Sequence, residues 1–284
     1  MATSAETARH AYQSLEPYHV VAYFNPGLRA AQEDLGLDAH AFYVGARAAP
    51  MGEVVAPVVA AAFYNFSPAL IETAWPAALD AGLAEIDDRR YAMLDAQYRG
   101  ILGDAAGLAD LVPEYAALIA DLPMSGRALA AAWAASDVPD APALALWRHL
   151  SVLREWRGDN HIAELVRHGL DGVDAGVFHE AELPDPSISR RVIGRRFFQV
   201  SRGLSDADWD AAIDRLVARG LVERDGDKHR LTADGFALYQ DIEAGTDAIS
   251  GAAFGPAAAN LIDRTRPYVK KVIDAGILPG TRAK

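Results

Sequence analysis

A chain of 284 residues that is 51% hydrophobic is long enough to bury one or two cores. It contains no cysteine, which excludes disulfides, thiolate metal sites and a cysteine nucleophile. The net charge of −12 is unevenly spread: residues 1–140 hold seven Arg, no Lys and 18 Asp or Glu, so this half repels polyanions and any nucleic-acid contact must come from the other. The N-terminal MATSAETARH has no apolar signal region, and the longest apolar run, residues 54–63, is broken by Pro57 and too short to span a bilayer. A cytoplasmic protein with no membrane partner is expected.

The Ala- and Leu-rich first half reads as helices cut by Pro and Gly, over 4–15, 18–24 and 26–35, with stops at Pro17, Pro26 and Gly36. Residues 54–63 lack any charge or polar face, which predicts a segment buried all round as the hub of an N-terminal bundle. A helix from Ser67-Pro68 is interrupted or kinked at Pro76. Residues 80–102 form an amphipathic helix whose inward side carries Leu83, Ile86, Arg90, Met93, Leu94, Gln97 and Ile101. Two more helices follow, over 108–121 and 126–135. The acidic, proline-containing SDVPDAP at 136–142 marks a boundary, dividing the chain into 1–138, a helical ligand-pocket domain, and 139–284. Beyond it, a helix over 142–156 breaks at Arg157-Gly158, Asp159 caps a second over 161–168, and a third covers 172–180. The run 187–203 carries five Arg and no acid. The tail reads as two helices, over 233–250 and 256–275.

Residues 204–235, LSDADWDAAIDRLVARGLVERDGDKHRLTADG, are the most legible stretch. Ser205 is an N-cap with Asp208 as its box partner, and Trp209, Ala212, Ile213, Leu216 and Val217 form one apolar stripe. Gly220 ends this helix. Alternating runs at 221–224 and 229–232 flank Asp225-Gly226 as a hairpin, and Thr232 caps the next helix. This helix, hairpin and helix, with its "RL..RGLV.R....HRLT..G" shape, resembles the winged helix of MarR-type regulators. The runs "RGD.H" and "ARAAPMGEVVAPVVAAAFYNF" resemble actinobacterial helix-turn-helix proteins of unassigned role, some encoded near natural-product genes. The resemblance implies a mainly α fold: a helical bundle, a winged-helix unit with a small β-hairpin, and C-terminal helices that build a homodimer.

In such folds the helix before the hairpin enters the major groove. Here it presents Asp206, Asp208, Asp210 and Asp214 against only Arg215 and Arg219, which argues against operator binding. The candidate DNA-binding residues are Arg190, Arg191, Arg195, Arg196 and Arg230, helped by Arg202, Arg224 and Lys228. Alternatively these cations neutralise the acidic N-terminal half.

Two clusters are candidates for chemistry. The first is Arg154, Arg157, Asp159 and His161, where His161 would be a ligand-facing base or metal ligand oriented by Asp159 or Glu155. His161 and His168 share a face but lie about 10 Å apart, too far to chelate one ion, and no HExxH occurs, so no metal site is expected. The second is aromatic, with Tyr18, His19, Tyr43, Arg47, Tyr64 and Asn65 as polar tips that need partners, and a bound small molecule would supply them. With Arg154 and His161 these are the candidate ligand-binding residues; His161, Asp159 and Arg47 are the catalytic candidates. Haem, ligated by His19 or His161, is a further option, and no cofactor is specified. No GxSxG, P-loop or GxGxxG is present. Three functions stay open: a ligand-binding protein of regulator ancestry, an enzyme of secondary metabolism using the apolar pocket, or a dimerisation or accessory protein without a site.

Overall fold

The computed structural model describes residues 3–282 except 104, 106, 189, 191 and 227. The chain runs α1 (Ser4–His19), α2 (Leu28–Leu35), α3 (Ala39–Ala48), α4 (Ala56–Phe63), α5 (Pro68–Ala81), α6 (Leu83–Leu102), α7 (Leu108–Ala120), α8 (Ala128–Ala135), α9 (Pro142–Arg167), α10 (Gly172–Glu180), α11 (Arg195–Arg202), α12 (Asp206–Ala218), β1 (Val222–Asp225), β2 (Lys228–Leu231), α13 (Ala233–Ser250) and α14 (Ala258–Asp274). The fold is mainly α with one hairpin, as the sequence predicts. No single helix among the described residues is long and apolar enough to cross a membrane.

The chain forms two compact units interleaved along the sequence: residues 1–54, 74–160 and 247–284 in one, 55–73 and 161–246 in the other. The 136–142 connection lies inside the first unit. Two sequence expectations therefore need correction. Residues 54–63 are no hub of the N-terminal bundle: Val55 is 66% and Val58 43% exposed, only Val59, Ala62 and Phe63 are buried, and α4 belongs to the second unit. Nor do Arg157-Gly158 break a helix, since α9 runs unbroken to Arg167. The cost of a helical Gly is only about 1 kcal/mol, and the flanking Trp156, Asp159 and Asn160 are all buried. Prolines are likewise tolerated inside α1 (Pro17), α5 (Pro76), α7 (Pro113) and α14 (Pro267). Burial of neighbours such as Leu15 and Tyr18 holds the chain helical through the missing N–H.

In the first unit α14 lays its apolar face, Leu261, Ile262, Val269 and Val272, inward, and Tyr115 of α7 meets its buried Thr265 at 2.8 Å. α3 approaches α6 so closely that a Cβ on Gly45 would lie 2.7 Å from Ile86 and 2.8 Å from Ala78.

The second unit is built around Trp209, Ala212, Ile213 and Leu216 of α12, packed with Val177 and Phe178 of α10 and Leu221, Val222 and Leu231 of the hairpin. Ser205 and Asp208 form the expected capping box, and Val217 is exposed rather than part of the stripe. The strands pair antiparallel from Val222 with Leu231 to Asp225 with Lys228. Glu182 adds a parallel bridge to Arg230 on the other edge of β2, donating its N–H to His229 and accepting from Leu231. Thr232 caps α13 by accepting from the Gly235 N–H at 3.0 Å. Gly235 is required there: a Cβ would fall 1.9 Å from the Leu221 carbonyl oxygen, which accepts the Thr232 N–H. Residues 55–73 join this core, with the Ser67 N–H donating to the Arg202 carbonyl at 2.8 Å and Leu70 against Gly203.

Candidate functional site

Within the first unit a cavity of about 200 Å³ opens among α2, α3, α6, α8 and α9. Phe42 and Tyr43 come from α3, Tyr23 from the turn after α1, Trp133 from α8 and Trp147 from α9, with Leu28, Ala39 and Ala46 filling the apolar wall. Tyr23 and Tyr43 lie 5.2 Å apart, and Trp133 meets Trp147 edge-to-face at 5.5 Å. Besides the two tyrosines, the polar members are Gln32, Arg47 and Arg90.

Arg90 is 3% exposed and is framed by aromatic faces, its guanidinium carbon 4.9 Å from the Tyr91, 4.7 Å from the Trp133 and 5.2 Å from the Trp147 centroid. Nη1 donates to the Ala46 carbonyl. Nη2 lies 2.7 Å from the Asp87 carboxylate, but neither it nor Nε is aligned to donate a hydrogen bond to any described residue. A buried guanidinium in the wall of an aromatic cavity whose Nε has no aligned acceptor is suited to receive one.

Arg47 is placed by a different network. Its Nε and Nη2 grip Glu155 bidentately at 3.0 and 2.7 Å, Arg154 donates to the same carboxylate at 3.0 Å and reaches Glu16 at 3.3 Å, and the Arg154 guanidinium covers Tyr23. Burial pushes the Glu155 carboxyl up, but Arg47 and Arg154 outweigh it and hold the group below its ordinary range. His19 lies beneath. Ser151 spends its hydroxyl proton on the Trp147 carbonyl, so it accepts from His19 Nδ1, and Nε2 takes the Tyr23 hydroxyl proton at 3.1 Å. Burial, then Arg154, Arg47 and Arg90, drives the His19 pKa well down, so the ring is neutral. With both nitrogens engaged, His19 is a support for Tyr23 and has no lone pair to offer haem iron.

Of the residues expected to bind ligand, Tyr43 and Arg47 line this cavity, and His19 and Arg154 buttress it. Tyr18 does not: it stacks on Tyr98 at 4.6 Å and donates to the Ala143 carbonyl. Tyr64 and Asn65 belong to the second unit, where the Tyr64 hydroxyl donates to the Leu170 carbonyl and its φ of 29° fixes the end of α4. Asp159 does not cap its own helix. It accepts from the Ala130 N–H at 3.0 Å and so caps α8, whose N-terminal Arg127 supplies no side-chain cap. Burial first, then Glu155, raises Asp159 to about 6. His161 also belongs to the second unit, bonding Thr246 and His179. The three catalytic candidates, His161, Asp159 and Arg47, are thus each committed to different partners.

Of the proposed DNA-contacting cations and their helpers, Arg190, Arg195, Arg224, Lys228 and Arg230 find partners inside the second unit. Arg195 pairs with Asp206 at 2.9 Å and Asp210 at 3.5 Å, Arg224 with Asp214 at 2.6 Å, and Lys228 and Arg230 with Glu182 at 2.6 and 3.5 Å. Arg190 turns inward, covering Tyr239 and donating to the Ala181 carbonyl. Arg196 is exposed beside Asp206, and Arg191 lies outside the described residues.

Sequence reasoning missed Arg90, Trp133 and Trp147 as cavity residues. One signal was present: an arginine in the apolar stripe of α6, which has to find a partner once buried. Trp133 and Trp147 gave none, because an isolated Trp in an Ala-rich helix reads as ordinary core. A family model described as a helix-turn-helix family matches residues 8–279. No curated protein and no solved structure matches the chain.

Proposed function

The chain belongs to that helix-turn-helix family, and from this premise we propose that it is a small-molecule-binding protein of MarR-like regulator ancestry whose ligand occupies the aromatic cavity of the first unit. The observation that carries the reading is Arg90, buried with its Nε unpaired at the wall of that cavity. An engineered cavity of about 150 Å³ takes benzene, so about 200 Å³ suits one ring with a small substituent. Aromatic walls favour a planar ring, and the guanidinium favours a carboxylate or another strong acceptor on it.

Benzoate and benzamide, titrated by calorimetry into the full chain, test this. Benzoate should bind at least tenfold more tightly. Arg90→Met should remove the preference, and Ala46→Leu, which fills the cavity, should abolish binding of both while leaving the fold intact. Equal affinity of the wild type for the two, or benzoate binding unchanged in Ala46→Leu, would discard the reading.

Binding of DNA by the second unit is proposed to be weak. The carboxylates of α12 are each occupied, Asp208 by the Ser205 cap and the others by Arg195 and Arg224, so these two cations are already held before any phosphate arrives.

A further inference from the structure

We propose that His161, His179 and Glu243 form a binding site for one divalent transition-metal ion in the second unit. Three helices contribute, α9, α10 and α13, and one ligand atom from each residue lies within 4.8 Å of the other two. The Nε2 atoms of His161 and His179 face each other at 3.0 Å with the rings tilted by 40°. Two imidazole nitrogens at 2.0–2.1 Å from a tetrahedral zinc are separated by about 3.3 Å, so the pair needs only a small opening to admit an ion.

The surroundings set the tautomer that ligation requires of His161, while His179, which then donates its Nε2 proton to His161, releases that proton or moves it to Nδ1 when the ion binds. Thr246 donates its hydroxyl proton to the Ile242 carbonyl at 2.7 Å, leaving its oxygen to accept from His161 Nδ1 at 3.0 Å. The proton of His161 therefore sits on Nδ1, and the Nε2 lone pair points at His179. A hydrogen bond from the non-ligating nitrogen that fixes ring and tautomer is the usual support of a histidine ligand. A Glu243 carboxylate oxygen, 3.9 Å from His161 Nδ1, lies within 4.8 Å of a ligand atom of each histidine and supplies the anionic donor once its side chain turns toward the ion. The three groups are half-buried, and Tyr239 closes one side of His179 at 5.7 Å. Two imidazoles and one carboxylate suit zinc, cobalt or iron(II), with at least one coordination position left for water or substrate. His168, on the same face of α9, turns instead to Glu164 and Asp241.

The test uses the full chain, stripped with EDTA and dialysed, then titrated with zinc chloride alone. One site per chain is expected, and His179→Gln and Glu243→Gln should each weaken it at least tenfold with unchanged circular dichroism. Diethyl pyrocarbonate labelling of the wild type, read by peptide mass, supplies a measure that needs no variant: zinc should protect His161 and His179 together. Absence of a site in the wild type, undiminished affinity in both variants, or labelling of the two histidines unaffected by zinc overturns the proposal. If either variant misfolds, the labelling result decides alone.

Discussion

Asp159 shows how one side chain couples packing to pH. Its carboxylate is taken from water to cap α8, and its pKa rises to about 6 against an ordinary value near 3.9. The native state therefore holds this proton more tightly than the unfolded chain does, so the contribution of Asp159 to stability is greatest below about pH 4 and is lost as pH rises toward 6. Asp159→Asn keeps an acceptor for the Ala130 N–H and cannot ionise. Urea unfolding of the two proteins should give stabilities that diverge between pH 4 and pH 7, the variant gaining on the order of 2 kcal/mol relative to wild type. Parallel curves would show that burial does not perturb this group. Arg90 and Arg47 make a second contrast at this scale. Both are cavity arginines, but Arg47 grips a carboxylate bidentately, whereas Arg90 spends Nη1 on Ala46 and Nη2 on the Asp87 ion pair and keeps Nε without an aligned acceptor, a donor for a ligand.

At the scale of elements, the winged-helix stretch is specified by short-range chemistry. The capping box at Ser205 and Asp208, the Thr232 cap and the approach of Gly235 to the Leu221 carbonyl each lie within a few residues or one hairpin. Gly235→Ala should therefore destabilise by about 3 kcal/mol or more, because two backbones would have to part. Gly100→Ala, at an exposed helical position with nothing within 4 Å of the added Cβ, should stabilise by about 0.5–1 kcal/mol. Thermal melts of the two variants check both signs. The terminal helix offers a different lesson: the apolar face of α14 is spent inside the first unit, so a homodimer would have to use another surface.

For the whole molecule, the charge of −12 and the paired arginines of the second unit predict how the protein meets duplex DNA. Each phosphate neutralised contributes a slope of about −0.9 to log K against log salt. Fluorescence anisotropy with random duplex should show weak binding and a slope shallower than about −3. A slope near −6 would mean that the pairs of Asp206, Asp210, Asp214 and Glu182 open on DNA and free Arg195, Arg224, Lys228 and Arg230 together.

The sequence by itself determined the helical class, the capping box, the hairpin and the cap after it, because these rest on contacts between near neighbours and on residue types with strong local preferences. It also placed Tyr43 and Arg47 in a group of polar tips that needed partners, and put Arg90 on the apolar side of α6 without giving it a role. Only the tertiary structure decided that residues 55–73 join the winged-helix unit, that α9 passes Gly158 without breaking, that Asp159 caps a different helix and that His161 meets His179 rather than His168. Each of those outcomes depends on which distant segment packs against a given face. Burial energy gathered over many such contacts exceeds the roughly 1 kcal/mol of a helical glycine or a missing cap, and the sequence pattern does not say which segment will supply it.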